Sequence, residues 1–255
     1  KGVSDFHTGD RVVSNGNHAE YVVVNQNLCT RIPDNTDIKE ASFTVLGSIA
    51  LHGLRLSETS LGSKVVVIGL GIIGQLVCRL AEAQGSEVIG IDPDTQRTDL
   101  SPNFYTSVEE ANMTNVDSVI ITAATSSNEP IEVATKIARN KAKIVVVGDI
   151  PLNISRNDFY YKELELVVSK SYGPGRYDKQ YEILGKDYPI EYVRWTENRN
   201  FEAFIKLLSQ NQIHLLDLVT EEVPFEDAPS IYAKFSEEDK PLSIVLRYDN
   251  KSEPK

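Results

Sequence analysis

Three glycines stand at a spacing that can bring a polypeptide backbone against the phosphates of a nucleotide. They are Gly69, Gly71 and Gly74 in the stretch VVVIGLGIIGQLV, where a branched apolar run gives way to apolar residues at helical spacing. Gly69 permits a sharp turn out of a strand, Gly71 lacks the Cβ that would block a pyrophosphate, and Gly74 lets the following helix approach the sheet. The first amides of that helix, at Ile72 and Ile73, are donors for phosphate oxygens. The same residues also suit a plain strand-to-helix turn, so the glycines alone leave two interpretations open.

An acidic residue follows the glycines at the distance that a ribose contact requires. The segment VIGID ends at Asp92, 18 residues after Gly74. Its carboxylate can accept hydrogen bonds from the hydroxyls of the adenosine ribose. The same charge repels a 2′-phosphate, and the nearest arginine after it is Arg97, so the pattern favours NAD(H) over NADP(H). A phosphate loop of the nucleotide-hydrolase type is excluded because GxxxxGK[ST] does not occur.

The elements that would hold this motif alternate along the middle of the chain. Branched apolar runs begin at Val65, Glu87, Ser118, Lys143 and Leu164, and NFYT near residue 103 adds a short sixth strand. Continuous apolar runs indicate strands buried on both faces, and helical spacing predicts helices over 73–85 and 130–140. The fold class is therefore α/β, with a doubly wound parallel sheet. Because ligands bind at the carboxyl ends of such strands, the loops after the fourth and fifth strands supply further cofactor candidates: Thr122, Ala123, Ala124, Thr125, Val147, Gly148, Asp149 and Ile150.

Both ends of the chain have β character. Residues 1–35 contain the apolar runs RVV from Arg11 and AEYVVV over 19–24, with the turn-forming SNGN between them. Asp37 and Glu40 have capping-box spacing, and a helix is predicted over 39–55. Towards the other end, the pattern predicts a helix over 200–209, strands in IHLLDLV and LSIVLRY, and a short helix over 227–235. The last residues, DNKSEPK, are typical of a solvated terminus or a linker.

A second cluster of candidate binding residues follows the last strand of the sheet. The segments GPGRYD and YVRWTENRN supply Arg176, Tyr177, Arg194 and Trp195. Guanidinium groups bind carboxylates or phosphates, and aromatic faces suit sugar rings, so these residues are candidates for substrate contact. A surface turn with solvated arginines is the alternative. His18 and His52 could face the same cleft or could be packing residues, and no catalytic residue is assigned.

Composition narrows the classes of partner. The 255 residues carry a formal net charge of −11, which repels the phosphate backbone of nucleic acid, so we expect no nucleic-acid partner. The longest apolar stretch has about ten residues, fewer than a membrane span needs. The two cysteines, Cys29 and Cys78, form no metal-binding or redox pair, which predicts a reducing compartment, the cytoplasm. Because the chain opens at Lys1 in the middle of a β-rich pattern, we expect further sequence before it.

Several segments together resemble the medium-chain dehydrogenase/reductase superfamily. They are GDRV from Gly9, HAEYVVV from His18, RIPD from Arg31, EASFTVLGSIALHGL from Glu40 and VPFEDAPSIYAKF from Val223, in the order of the family. The resemblance implies a partial GroES-like domain formed by residues 1–45 and 213–255, and a Rossmann NAD-binding domain over 46–212. It further implies hydride transfer between the nicotinamide and an alcohol or carbonyl substrate, with a sugar derivative as one candidate.

Longer motifs, among them SYGPGRYD and DYPIEYVRWTENRN, are similar to the bi-domain oxidoreductase branch of that superfamily. This similarity implies a downstream oxidoreductase domain fused to the chain, and the superfamily implies a homodimer through the Rossmann domains. No four-cysteine zinc lobe follows GDRV, and the resemblance to this branch implies that the Cys, His and Glu ligands of a catalytic zinc are absent, so we expect an enzyme without zinc. Ala50 stands where many relatives have a threonine, which removes one polar contact to the nicotinamide side. An enzyme without zinc would polarise its small-molecule substrate with side-chain or backbone donors. The alternative is an inactive dinucleotide-binding scaffold that supports a fused partner domain.

Overall fold

The computed structural model describes residues 3–101, 103–234 and 241–248. The strands are β1 (Val12–Ser14), β2 (Cys29–Arg31), β3 (Lys64–Ile68), β4 (Glu87–Ile91), β5 (Phe104–Tyr105), β6 (Val116–Ile121), β7 (Ala138–Val146), β8 (Glu165–Val168), β9 (Glu221–Pro224) and β10 (Ile244–Arg247). The α-helices are α1 (Ile38–Ala41), α2 (Thr44–Leu56), α3 (Ile72–Ala83), α4 (Thr95–Thr98), α5 (Val108–Ala111), α6 (Glu129–Ile137), α7 (Arg156–Lys162), α8 (Lys179–Glu182), α9 (Glu197–Ser209) and α10 (Ala228–Lys234). Short 3₁₀ turns occupy Gln26–Leu28, Leu216–Leu218 and Phe225–Asp227.

A six-stranded sheet forms the centre of the molecule, in the order β5-β4-β3-β6-β7-β8. All its neighbouring strands are parallel. Successive residues of β3 enter opposite cores: Val65 and Val67 pack with helices α2, α3 and α9, whereas Val66 and Ile68 pack towards α6. The continuous apolar runs therefore reflect burial on both faces, and the doubly wound α/β class predicted from the sequence is confirmed.

The helix predicted over 39–55 is wrong in one respect, because the structure divides it into α1 and α2. Asp37 caps α1 as predicted, accepting from the amides of Lys39 and Glu40. Hydroxyl groups then compete for the carbonyls at the junction: Ser42 Oγ donates to Lys39 O and Thr44 Oγ1 donates to Ala41 O, each over 2.6 Å. The chain turns there before α2 begins.

Three predicted boundaries move for identifiable reasons. The helix predicted over 73–85 is α3, which ends before Gly85 at a φ of +88°. The helix predicted over 130–140 ends at Ile137, where Lys162 Nζ donates to Thr135 O, Lys136 O and Ala138 O and β7 begins. The helix predicted over 200–209 begins three residues earlier, at Glu197, because the side chain of Thr196 caps it by accepting a hydrogen bond from the amide of Arg199.

The two ends form fewer strands than the sequence indicates. The strand predicted over 19–24 is wrong: this segment pairs with no described strand and Val23 is fully exposed, whereas β1 pairs antiparallel with β2. The strand predicted in IHLLDLV is also wrong, because Leu216–Leu218 form a 3₁₀ turn that buries Leu215 and Leu218. LSIVLRY does contain a strand, β10, which pairs parallel with β9.

The helix predicted over 227–235 is α10, and its last predicted residue, Phe235, lies outside the described residues, as does the whole tail DNKSEPK. Within the described part of the chain, no helix combines the length and the apolar character that crossing a bilayer requires.

The buried carboxylate of Glu40 links the first helix to the far end of the chain. Its Oε1 accepts from the amide of Leu215 over 2.6 Å, so it does not close the capping box that its spacing suggested. We expect Glu40→Ala to lower the free energy of unfolding by about 1–3 kcal/mol, because the Leu215 amide would be left buried and unpaired. Urea unfolding measures this loss, with Glu202→Ala on the exposed side of α9 as the control. An equal loss in both variants would contradict the link.

Candidate functional site

The three glycines of the motif do different physical work at the carboxyl end of β3. Gly69 has a φ of +96°, and a Cβ there would lie 2.5 Å from the amide nitrogen of Ala123. A Cβ at Gly74 would lie 1.9 Å from the carbonyl oxygen of Gly69, so α3 can approach the loop only with glycine at this position. Gly71 differs, because a Cβ there would face open space and its nearest neighbour would be Arg97 Nη1 at 3.9 Å. The fold therefore requires the first and third glycines, and the second leaves a free cradle.

The cradle lies at the N-terminus of α3. Gly71 is the N-cap of this helix, with no side chain to accept from the first-turn amides. The first amides of the helix, at Ile72, Ile73 and Gly74, have no preceding turn to pair with and carry the positive end of the helix dipole. Phosphate oxygens fit such a cradle, so this site suits a dinucleotide.

Asp92 lies at the end of β4, next to the glycine loop, and is nearly fully buried. Its Oδ2 accepts from the amide of Leu70 over 2.6 Å, and its Oδ1 accepts from the amide of Asp94 over 3.0 Å. Arg97 approaches the same carboxylate, with Nη1 3.4 Å from Oδ2, and also pairs with Asp94. Asp92, the acidic residue predicted to contact the ribose, thus also holds the glycine loop through the Leu70 amide and forms an ion pair with Arg97.

The two other predicted cofactor segments meet the glycine loop at the same edge of the sheet. Ala123, Ala124 and Thr125 follow β6, and Val147, Gly148 and Asp149 follow β7. The amide of Thr125 donates to Asp149 O over 3.0 Å, and a Cβ at Gly148 would lie 2.0 Å from Ala123 O. The structure therefore brings all the predicted cofactor residues to one edge, as expected for the carboxyl ends of parallel strands.

Three side chains hold this edge together: Thr122, a cofactor candidate from the sequence, and Gln75 and Arg97, which sequence reasoning missed. Thr122 Oγ1 donates to the carbonyl of Gly69. Gln75, buried on α3, donates through Nε2 to Leu70 O and to Arg97 O, each over 3.3 Å. The closeness of Arg97 to Asp92 in the sequence, five residues, is the one signal that indicates it, whereas Gln75 carries no recognisable motif.

A cleft of about 770 Å³ opens between the N-terminus of α3 and the two terminal sheets. Ile72, the first residue of α3, lines the cleft on the side of the cradle, and much of the remaining lining is apolar. The polar side chains of the lining include Asn15, His18, Ser42, Tyr172 and Arg176. The cleft therefore joins the cradle to one of the predicted substrate residues, Arg176.

The loop that carries Arg176 is held by its own side chains. Nη1 of Arg176 donates to Glu182 Oε1 over 2.7 Å, and the amide of Tyr177 donates to the same oxygen over 3.1 Å. The guanidinium lies 4.1 Å from the ring centroid of Tyr177 and 5.0 Å from that of Tyr172. Burial is the largest single effect on Arg176 and disfavours its charge, but the hydrogen bond with Glu182 and the electrostatic effects of Tyr172, Glu182 and Tyr177 together outweigh it and raise the pKa of the guanidinium.

The structure does not bring Arg194 and Trp195 to the lining of this cleft. Trp195 contacts two guanidinium groups, those of Arg55 at 3.4 Å and Arg194 at 3.9 Å from its ring centroid. The indole is therefore engaged by two cations of the chain itself. Arg55 Nε donates to Asn200 Oδ1, so this stack supports α9 from α2. A role for Arg194 and Trp195 in substrate contact stays a prediction.

The two histidines lie in different surroundings. His18 lines the cleft, and its Nδ1 is hydrogen bonded to the hydroxyl of Tyr232. His52 packs against Gly173, whose Cβ position would lie 3.2 Å from its Nδ1. Burial and then the charge of Arg55 lower the pKa of His52 to about 4, so its imidazole is neutral at physiological pH. Among the described residues, no group of three His, Cys, Asp or Glu side chains is arranged to hold a metal ion.

Glu197, at the start of α9, is fully buried below the Arg176 loop. Neither of its carboxyl oxygens has a hydrogen-bond partner within the described part of the chain, and the same is true of Arg176 Nε. Burial and then the charge of Glu182 raise the pKa of Glu197 to about 8. The side chain is thus a neutral acid near pH 7, which sequence reasoning did not indicate.

Comparisons with known proteins agree with this geometry. The family model described as the NAD-binding domain of D-isomer specific 2-hydroxyacid dehydrogenases matches residues 47–158. The chain is 24% identical to 2-dehydro-3-deoxy-L-galactonate 5-dehydrogenase of Pseudoalteromonas atlantica, covering 80% of this chain and 56% of that protein. It is 25% identical to D-guloside 3-dehydrogenase of Escherichia coli, covering 96% and 72% of the two chains.

A solved structure shows the same fold. Galactitol-1-phosphate dehydrogenase from Escherichia coli matches with a TM-score of 0.76 at 20% identity, over 96% of this chain and 79% of that chain. The present chain spans little more than half of the Pseudoalteromonas protein, at 56% of its length. The comparisons confirm the fold class and the resemblance that the sequence motifs indicate.

The buried acid Glu197 gives a pH-dependent prediction. The unfolded chain releases this proton near pH 4.5, as an ordinary glutamate does, whereas the folded chain holds it to a pKa of about 8. The favourable contribution of the protonated acid is therefore complete below pH 4.5 and is lost as pH rises to 8. We expect Glu197→Gln to change stability little at pH 4.5 and to stabilise the protein by a few kcal/mol, to order of magnitude, at pH 8.

Unfolding by urea across this pH range measures the difference between variant and wild type. Glu191→Gln, on the exposed segment before α9, is the matched control and should show no such trend. A constant difference between Glu197→Gln and wild type from pH 4.5 to 8 would show that the acid is ionised in the folded state.

Proposed function

We propose that this chain, a member of the medium-chain dehydrogenase/reductase superfamily, is the cofactor-binding part of an NAD(H)-dependent oxidoreductase that acts on sugar-type alcohols or carbonyls. The observation that carries the proposal is the cradle at Gly71, which the fold leaves open although both neighbouring glycines are closely packed. The family model that matches residues 47–158, described as an NAD-binding domain, supports the same cofactor.

The residues around the cradle have separate roles in this proposal. The amides of Ile72, Ile73 and Gly74 would hold the pyrophosphate, and Asp92 with Arg97 would contact the adenosine ribose. The loops Ala123–Thr125 and Val147–Asp149 would border the nicotinamide half of the cofactor. The bound cofactor would supply or accept the hydride, and the chain would exclude water from the cleft and orient the substrate.

The substrate would bind in the cleft that joins the cradle to Arg176. Tyr172 and Asn15, hydrogen bonded to each other over 3.0 Å, offer neutral donors and acceptors there. The names of the relatives, a deoxygalactonate dehydrogenase and a guloside dehydrogenase, support a hydroxylated substrate of the sugar type. Independence from zinc is part of this proposal, with neutral donors and Arg176 polarising the substrate oxygen.

We also propose the domain division 1–45 with 213–255, and 46–212. The two small sheets, β1-β2 and β9-β10, lie outside the six-stranded sheet and border the cleft, which supports this division. For the assembly we propose a homodimer through the edge strand β8, whose outer side pairs with no described strand and whose Val168 is exposed. We also propose a downstream oxidoreductase domain. A cytoplasmic location is proposed because Cys29 and Cys78 are both free thiols.

The alternative, an inactive scaffold, would bind the cofactor at the same cradle but would not catalyse hydride transfer, so binding and activity are tested separately. Gly71→Ala places a methyl group in open space, and we expect its free energy of unfolding to stay within about 0.5 kcal/mol of wild type. We expect its NADH affinity to be at least about tenfold weaker, because the methyl group blocks the pyrophosphate. Gly74→Ala, by contrast, should destabilise the fold itself, since its Cβ would lie 1.9 Å from Gly69 O.

NADH fluorescence measures the affinity, thermal unfolding measures stability, and NADH absorbance with sugar ketones measures turnover. Unchanged NADH affinity in a well-folded Gly71→Ala protein would refute cofactor binding at the cradle. NADH binding without turnover of any sugar ketone by the full-length protein would favour the scaffold alternative.

The preference for NAD(H) depends on the charge of Asp92 beside Arg97. Asp92→Asn keeps an oxygen that can accept from the Leu70 amide but removes the negative charge. We expect the ratio of NADPH to NADH affinity to rise by about tenfold or more, because the variant removes the buried charge that repels a 2′-phosphate and leaves Arg97 with Asp94 as its one described carboxylate partner. Fluorescence titration with both cofactors measures the ratio, with Asp99→Asn at the exposed end of α4 as the control. An unchanged ratio would be incompatible with this role for Asp92.

A further inference from the structure

Arg176 is the one formally charged side chain among the described residues that line the cleft. Its positive charge is not free, because Nη1 donates to Glu182 Oε1 over 2.7 Å. The pair is partly buried, with side-chain exposures of 26% for Arg176 and 16% for Glu182, so solvent screens it less than it screens a surface pair. The charges of the two side chains cancel at the wall of the cleft.

Glu182 is held in place by more than its partner. The same oxygen accepts from the amide of Tyr177, a non-glycine residue with a φ of +68°. The conformation of the loop therefore depends on the carboxylate that neutralises Arg176. An anionic ligand would have to compete with this carboxylate for the guanidinium and would meet its negative charge at close range.

The remaining polar groups of the lining are neutral. Asn15 Nδ2 donates to the hydroxyl of Tyr172 over 3.0 Å, which leaves the phenolic proton available to an acceptor. Ser42 adds a hydroxyl, and His18 is engaged by Tyr232. Arg176 keeps its Nη2 group as a donor, since Glu182 takes Nη1. Such a set suits several hydroxyl or carbonyl oxygens and offers no unpaired positive charge.

We propose that the cleft selects an uncharged polyhydroxylated substrate, a sugar, glycoside or polyol, over the carboxylate or phosphate forms of the same carbon skeleton. The Arg176–Glu182 pair is the specificity-determining element, and Asn15 with Tyr172 recognises the hydroxyl groups. This inference rests on the proposed function and narrows its substrate class. The names of the relatives include both a carboxylate, the deoxygalactonate, and a neutral compound, the guloside, and the inference chooses between these two kinds of substrate.

The first experiment compares matched substrates on the full-length protein with NAD⁺. Hexitols, the corresponding aldonates and the corresponding hexitol 1-phosphates are assayed in the gluco, galacto and manno configurations. In the configuration that gives the highest activity, we expect kcat/KM for the hexitol to exceed that of both anions by at least about tenfold. This is the factor expected when an anion has to compete with Glu182 for a charged hydrogen bond to Arg176. Equal or higher values for an anion would overturn this inference and leave the proposed function standing. Turnover of none of the three classes would remove the proposed function, and this inference with it.

The second experiment removes the neutralising charge. Glu182→Gln keeps an oxygen for the Tyr177 amide but frees the charge of Arg176, so the affinity for the anions relative to the hexitol should rise by about tenfold or more. Equilibrium binding in the presence of NADH, measured by fluorescence, gives this ratio without turnover. The exposed Glu191→Gln variant should keep the wild-type ratio. An unchanged ratio in a folded Glu182→Gln protein would contradict the role of the pair.

A third variant keeps the inference testable if Glu182→Gln fails to fold. Arg176→Gln removes the guanidinium and leaves the carboxylate of Glu182 without its neutralising partner at the wall of the cleft, so anion affinity should fall by a larger factor than hexitol affinity. Equal factors for the anions and the hexitol would show that the charges of this pair do not act on the substrate and would overturn the inference.

Discussion

The close approach of backbone to backbone at the carboxyl edge of the sheet is the constraint on which the rest of the structure depends. Three loops meet there without room for a Cβ: Gly69 against Ala123, Gly74 against the carbonyl of Gly69, and Gly148 against that of Ala123. These contacts fix the N-terminus of α3 beside the ends of β6 and β7. Because every close contact is taken by a glycine, the one position left open, Gly71, is defined by the backbone rather than by flexible side chains.

Much of this edge is predictable from the sequence because its determinants are local. A continuous apolar run before Gly69 indicates a doubly buried strand, the glycine spacing indicates the turn, and the distance to Asp92 follows from one strand–helix–strand unit. The six strands and the loops after β6 and β7 follow from the same reasoning. The role of Gln75 does not, because nothing in its neighbourhood shows that its amide will reach both Leu70 and Arg97.

The errors fall where distant residues decide the structure. The capping box at Asp37 stays half formed because Glu40 binds the amide of Leu215, 175 positions away in the chain. That contact and the burial of Leu215 and Leu218 replace the strand expected in IHLLDLV with a 3₁₀ turn. The stacking of Arg55 on Trp195 likewise depends on the packing of α2 on α9. A pattern of residue types along the chain carries no information about such partners.

Each end of the proposed binding site contains an arginine that is paired with a carboxylate. At the cradle, Arg97 is paired with Asp92 and Asp94; at the cleft, Arg176 is paired with Glu182. An arginine with a carboxylate neighbour retains donors for hydroxyl oxygens, but the carboxylate opposes any added phosphate. Under the proposed function, the same logic discriminates at both ends, against a 2′-phosphate on the cofactor and against a charged group on the substrate. Neutral Glu197, buried below the second pair, is consistent with this balance, because its ionisation would add negative charge near Arg176 on oxygens that have no hydrogen-bond partner among the described residues.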